Sequence, residues 1–354
     1  MTNAVPAPPD SPDAAVAWHH GDPFAEQRAA ARGCVVVDRS HRDVLVVPGE
    51  DRLTWMHSLT TQHLTVLADG SATEALVLDV NGRVEHHLVV SEVGGQLWLD
   101  VEPGHGAPLL AYLEKMRFWS KVEPAAADVG VLSLLGPSTV DTLVAAGLPA
   151  PDNGRTAAST GTTGDVLVRR LDWRTSTAVD VLVPRAELAH WWSRLTGAGA
   201  RPAGTLAYEA LRVEALRPRD GMDTDQRTIP HEAGWIGGAV HLDKGCYRGQ
   251  ETVARVANLG RPPRRLLLLH LDGSGDALPV TGDEVRLDGR AVGRVGTVVQ
   301  HHELGPVALA LVKRSVGADA QLTAGGCAAS VDPDSVPPET GEPAGRAALR
   351  RLRH

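Results

Sequence analysis

Apolar and polar positions alternate along this chain in many short runs. Residues 34–38, 44–47, 74–79, 84–91 and 97–101 read as strands, most of them half-buried. Asn81-Gly82 stands between the third and fourth of these. It predicts a hairpin in which both turn positions take positive φ. Residues 50–59, behind Gly49 and with an acidic first turn, carry a helical pattern, as do 109–118. A strand at 132–135 runs into Gly136-Pro137 and a helix to about residue 146. Residues 150–164 are rich in Gly, Thr and Ala and read as a loop. Strands at 166–171 and 179–183 and helices at 187–195 and 206–216 follow. The interleaving predicts an α+β architecture with antiparallel sheets. After Arg261-Pro262-Pro263 the pattern changes to strands at 266–271, 284–287, 292–299 and 307–312, with glycine-rich turns. That is a small all-β unit over 262–332. Residues 1–20 and the Pro-rich, then basic, 333–354 read as disordered tails.

Composition narrows the classes. A chain of 354 residues is too long for one core, so two or three packed units are expected. A net charge of -8 argues against a direct nucleic-acid binder. No apolar run reaches the ~18 residues of a membrane span. The N-terminus lacks a basic start followed by an apolar stretch, so the reading is cytoplasmic. The three cysteines, Cys34, Cys246 and Cys327, form no CxxC pair and predict no metal site.

The most informative stretch is Asp243-Lys244-Gly245-Cys246-Tyr247-Arg248-Gly249-Gln250-Glu251. One thiol stands between two cations with glycines on both sides. Lys244 and Arg248 would favour the thiolate, and Gly245 and Gly249 would allow tight turns or close approach to a ligand. A buried cysteine in a loop entering a helix is the plainer alternative.

This stretch resembles the signature Lys-Gly-Cys-[Phe/Tyr]-x-Gly-Gln-Glu of the YgfZ folate-binding proteins. These are relatives of the glycine-cleavage T-protein and of mitochondrial iron–sulfur assembly factors. Thr252-Val253-Ala254-Arg255 continues in the same style. Asp38-Arg39-Ser40, the helix Leu206 to Glu214, Arg219, Gly221, Asp223 and Ile229-Pro230-His231-Glu232 also resemble family elements. The similarity covers about residues 21–330.

The resemblance implies a GcvT-like three-lobed ring with a central channel. Two α+β lobes would come from 21–261, and a β-barrel from 262–332. It implies tetrahydrofolate, or a one-carbon derivative, in the channel. Glu214 would hold the pterin through paired, charge-assisted bonds. Arg212, Arg248 and Arg255 are candidates for the folate tail, and Tyr247 and Trp235 for an apolar wall. Gly249, Gln250 and Glu251 complete the binding set, and Cys246 is the functional thiol. Partners would be iron–sulfur client or assembly proteins, such as tRNA-modifying cluster enzymes, served by a monomer.

One departure stands out. Where the T-protein strand carries an Asp pair, one of them catalytic, this chain has His86-His87. A neutral imidazole cannot steer charge on a folate nitrogen as a carboxylate does, which argues against aminomethyl transfer. Successive strand residues face opposite ways, so the two histidines would not ligate one metal. One of them could carry a proton or ligate haem. An ordinary hydrogen-bonded histidine is the plainer reading. Helper in iron–sulfur assembly, folate-dependent C1 transferase and binder of haem or another planar cofactor are the three functions in play.

Overall fold

The computed structural model describes residues 4–161, 164–259, 261–275 and 277–337. Two compact units are drawn from it. The first comprises residues 1–57, 63–75 and 86–215, and the second 58–62, 76–85 and 216–354.

In chain order the first half holds β1 (Val5–Pro6), β2 (Ala17–His19), α1 (Pro23–Arg32), β3 (Val35–Asp38), β4 (Asp43–Pro48), α2 (Arg52–Leu59), β5 (Ser71–Leu78), β6 (Val84–Val93), β7 (Gln96–Val101), α3 (Gly106–Met116) and β8 (Ala125–Ala126). It continues through β9 (Val129–Leu135), α4 (Thr139–Ala145), β10 (Thr156–Gly161), β11 (Gly164–Leu171), β12 (Ala178–Pro184), α5 (Leu188–Gly197), β13 (Arg201–Ala203) and α6 (Thr205–Glu214). Two sheets result, ordered β5-β6-β7-β4-β8 and β10-β11-β12-β9-β3-β13. β13 pairs parallel with β3, while the pairings of β10 with β11, β11 with β12, β12 with β9, β9 with β3, β6 with β7, β7 with β4 and β4 with β8 are antiparallel.

Val44, Val131, Leu167 and Leu182 pack between the two sheets of the first unit. A second cluster, including Val36, Leu134, Val168, Val181, Trp191 and Leu195, seats α4 and α5 on the second sheet.

Charges are buried in the first unit as well. Register places Asp180 of β12 opposite both Arg169 of β11 and Ser133 of β9. Arg169 is fully buried and donates through one terminal nitrogen to Asp180 at 2.7 Å and to Asp100 of β7. Arg42 donates to Asp100 at 2.6 Å and to Glu102 at 2.5 Å. Arg39 donates to Ser133 at 3.1 Å and lies 4.0 Å over the Tyr208 ring. Burial would drain charge from the Arg169 guanidinium. Asp100 and Asp180 outweigh that and hold its pKa above the ordinary value.

Several expectations need correction. Residues 4–20 are not a loose tail. β1 pairs with β2, Ala7 and Val16 are buried, and Asp13 meets His41 at 2.8 Å. Residues 150–164 are not all loop, because β10 adds an edge strand whose Thr/Ala/Gly composition hides it. Of the C-terminal tail, Pro333–Ser335 form a 3-10 turn with Ser335 buried. Residues 338–354, with Arg346, Arg350, Arg351 and Arg353, lie outside the described residues.

The second half holds α7 (Gln250–Leu259), β14 (Arg264–Leu271), β15 (Glu284–Leu287), β16 (Arg290–His301), β17 (Gly305–Lys313), β18 (Gln321–Ala324) and β19 (Cys327–Val331). The six strands close a barrel in the order β14-β17-β16-β15-β18-β19. Leu267, Leu269, Val295, Ala310 and Val312 are among the residues that fill it. Arg264 ties the barrel to the preceding segment, bonding Asp225 at 2.6 Å and Glu232 at 2.8 Å.

Arg169→Met removes the fully buried cation between Asp100 and Asp180, leaving Asp100 to Arg42 and Asp180 to Ser133 and Arg39. Loss of about 3–5 kcal/mol is expected in urea unfolding. A loss under about 1 kcal/mol would mean that the pair adds nothing to this core.

Candidate functional site

The signature stretch lies in the second unit, in the loop that leads into α7. Three chain segments of that unit meet there: residues 58–62, the hairpin tip 76–85, and 228–253.

The hairpin tip supplies the footing. Its turn is not the two-residue form expected from Asn81-Gly82, because only Gly82 has positive φ, at 78°. Gly82 N–H closes a four-residue turn on Asp79 O at 3.1 Å, and Asp79 N–H bonds Arg83 O at 2.8 Å. The Asp79 carboxylate caps this turn, accepting from Asn81 N–H and Arg83 N–H at 2.8 Å each. Burial alone would raise the Asp79 carboxyl. The bonds from Arg83 and Asn81 outweigh it and hold the group below its ordinary value.

Gly249 presses on this turn. Its φ is 83°, and a Cβ there would stand 2.6 Å from Asp79 O and 2.8 Å from Gly82 Cα. A Cβ on Gly82 would stand 2.7 Å from Thr252 Cβ and 3.1 Å from Gly249 O. Each position therefore needs glycine twice over, for its left-handed backbone and for the lack of a side chain. The glycine of the signature serves backbone-to-backbone packing against the hairpin tip.

Residues 60–62 supply the other anchor. Thr60 and Thr61 are fully buried. Thr61 N–H donates to Leu76 O at 3.0 Å, and its hydroxyl donates to Ala239 O at 2.7 Å. Gln62 donates to Gly238 O at 2.8 Å, and His241 N–H donates to Thr61 O at 3.0 Å. Leu76, Leu78, Ala233, Trp235, Val240, Tyr247 and Val253 form the apolar cluster beneath. The sequence reading gave no weight to Thr60-Thr61-Gln62. Consecutive polar residues directly after helix α2 were the signal available.

Cys246 emerges exposed and unbridged from this anchored loop. Its neighbours are committed inward. Lys244 is 7% exposed, donates from Nζ to Thr60 O at 2.5 Å, and sits 4.9 Å from the Tyr247 ring centroid. Burial pushes the Lys244 ammonium down to about 8 and the Tyr247 hydroxyl up to about 12. Arg248 donates to Leu78 O and pairs with Glu85. The two cations expected to favour a thiolate thus have partners of their own, Thr60 O for Lys244 and Leu78 O with Glu85 for Arg248. Gln250 donates to Lys244 O at 3.3 Å and closes the loop, and Glu251 stands exposed in the first turn of α7. Arg255 is exposed on α7, whereas Trp235 is core at 2% exposure and offers no open face.

The other predicted residues belong to the first unit. Glu214 ends α6 and is half-buried, while eight of the nine residues before it in that helix are buried. Arg212 is buried and bonds both carboxylate oxygens of Glu209, at 3.1 and 2.5 Å, so it is not presented as an open cation for a folate tail. His86 and His87 separate to opposite faces of β6 as expected. His87 bonds Glu74 at 2.7 Å, and the His86 ring stands edge-on to His105 at 6.2 Å. Among the described residues no group of three or more His, Cys, Asp or Glu could hold a metal ion.

The family model described as the GCVT N-terminal domain matches residues 16–244. The chain belongs to that family. A second model, the CAF17 C-terminal beta-barrel domain, matches 264–338, and the pair fits the YgfZ/CAF17 type within the GcvT superfamily. The chain is 28% identical to an aminomethyltransferase of Thermotoga petrophila over 320 residues, 84% of each chain. It is 25% identical to a chloroplastic protein of Arabidopsis thaliana over 272 residues, 74% of this chain and 61% of that one. The chain thus spans under two thirds of that relative's length. The crystal structure of aminomethyltransferase T from Bartonella henselae superposes with a TM-score of 0.82 at 17% identity, covering 93% of this chain and 92% of that one. The fold is GcvT-like: α+β, with a closed six-stranded barrel at the C-terminal end. Among the described residues no helix is long and apolar enough to cross a membrane.

Gly249→Ala adds left-handed strain and drives a methyl into the hairpin tip. A loss of about 1–3 kcal/mol in urea unfolding is expected. Stability within about 0.5 kcal/mol of the native chain would contradict the packing described.

Proposed function

We propose that this chain binds tetrahydrofolate, or a one-carbon derivative of it, and assists the assembly or repair of iron–sulfur proteins in the cytoplasm. The observation that carries the reading is an exposed Cys246 held on a loop whose flanking residues are buried anchors. Cys34, next to β3, is buried instead, as a cysteine that serves packing usually is.

The residues present fit a folate. A pterin edge offers adjacent N–H donors, and one carboxylate can accept both. Glu214 has that chemistry and is half-buried. It also ends α6, where the helix dipole disfavours a negative charge by about 0.3–1 kcal/mol, so helix stability does not account for it. Arg212, on the same helix, is already held by Glu209 and is not an open cation for the acidic tail.

Relatives carry the name aminomethyltransferase. That reaction is not carried over to this chain. His86-His87 stands where the T-protein strand has its Asp pair, and His87 is held by Glu74. Folate here serves as a bound ligand, and the Cys246 thiol as the functional group presented to clients.

Anaerobic titration of the full chain with tetrahydrofolate tests the reading. Glu214→Ala removes a charge-assisted pair of bonds and should weaken binding about tenfold or more. Cys246→Ala should leave affinity unchanged yet lower cluster-enzyme activity in cells that depend on the variant. Equal affinity for the native and Glu214→Ala chains, or full client activity with Cys246→Ala, would contradict it.

A further inference from the structure

A cavity of about 550 Å³ opens in the first unit, and none of the residues given a role above lines it. Its body is apolar. Val16 of the N-terminal segment, Leu132 of β9, and Leu188 and Trp192 of α5 stand around it, with small alanines between them. Two polar side chains, His20 and Asp38, line the same space.

His20 is the telling residue. Its backbone is fixed, since its N–H donates to Glu26 Oε1 at 2.6 Å while Gly204 N–H donates to Glu26 Oε2 at 2.9 Å. Its ring is not satisfied, for both ring nitrogens are buried without a hydrogen-bond partner among the described residues. Leaving such atoms unpaired costs about 1–3 kcal/mol. The ring lies 5.7 Å from that of Trp192 and is tilted 30° to it. Burial pushes the imidazole below its ordinary value, so near neutral pH it keeps one lone pair as an acceptor. Asp38 spends Oδ1 on Ser40 N–H at 2.9 Å. Its remaining oxygen is a second acceptor, and its charge has no lysine or arginine beside it in the lining.

An aromatic face, aliphatic walls and two acceptors with one negative charge define the complement: a cationic donor on an apolar body. The volume falls in the range of small-molecule pockets, which are mostly apolar with a few placed polar groups. An anion such as a folate tail would meet no counter-charge here. We propose that this cavity is a binding site for a small organic amine. The ammonium would lie between His20 and Asp38, and the apolar or aromatic body against Leu132, Leu188 and Trp192. The site stands independently of the folate reading.

Isothermal titration calorimetry of the full chain at neutral pH, with tryptamine, 2-phenylethylamine and hexylamine as probes, tests this. Tryptophol serves as the neutral counterpart of tryptamine. At least one amine should bind saturably, and tryptophol should bind about tenfold or more weakly than tryptamine. Asp38→Asn should weaken the amine by a similar factor. Ala189→Trp should abolish binding, because Ala189 lines the cavity from an exposed position on α5 and a large side chain there blocks it without entering the core. Far-UV circular dichroism checks that both variants fold. No saturable binding by any amine, binding that survives Ala189→Trp, or equal affinity for tryptophol would each overturn the proposal.

Discussion

Two glycine backbones in contact fix the geometry of the signature loop. Gly249 can rest on the hairpin turn only because neither it nor Gly82 carries a side chain. That contact sets the start of α7. The loop from Ala239 to Tyr247 is then stretched between this point and the buried Thr60–Gln62 segment. Once both ends are pinned, Lys244 and Tyr247 are drawn into the apolar cluster and Cys246 is left facing out. Exposure of the thiol is therefore a consequence of anchoring, not of looseness.

The first unit solves a different problem. Its two sheets bury Arg169, Arg42, Asp100 and Asp180 where apolar packing would have sufficed. Such ion pairs contribute little net stability relative to a hydrophobic replacement, yet losing one partner is costly. Cross-strand register makes the arrangement specific: a slip of one residue in β11 or β12 would turn Arg169 or Asp180 to the other face.

Most of the fold was legible in the sequence because strands with alternating patterns and helices with apolar stripes carry their own period. The change to an all-β unit after Pro263 was equally plain, since glycine-rich turns recur there without helical pattern. What escaped is short or poor in large apolar residues, including the barrel strands β18 and β19. β10 and β13 are edge strands with few large apolar residues, and β1 has two residues. α1 escaped although Asp22 caps it and Pro23 opens it, because its buried face is Glu26, Gln27 and Ala30 and shows no apolar stripe. At the site, the glycines and the thiol were singled out by the charge pattern of residues 243–251 and their resemblance to the family signature. The roles of Lys244 and Arg248 were not, because charge pattern along a chain does not reveal that a lysine will reach Thr60 O or an arginine Leu78 O. Trp235 and Tyr247 likewise looked like ligand walls, but they pack in one core cluster with Leu76 and Leu78, which are far away in sequence.

Amide hydrogen exchange at three positions tests the anchoring directly. Thr61 N–H bonds Leu76 O, Val84 N–H bonds Thr228 O, and His241 N–H bonds Thr61 O. If residues 58–62, the hairpin tip and the signature loop are one clamped assembly, these amides should share one opening free energy and lose protection together in rising denaturant. Exchange of the His241 amide at the rate of an open chain while Thr61 and Val84 stay protected would contradict the account, since Cys246 would then sit on a loop that nothing holds.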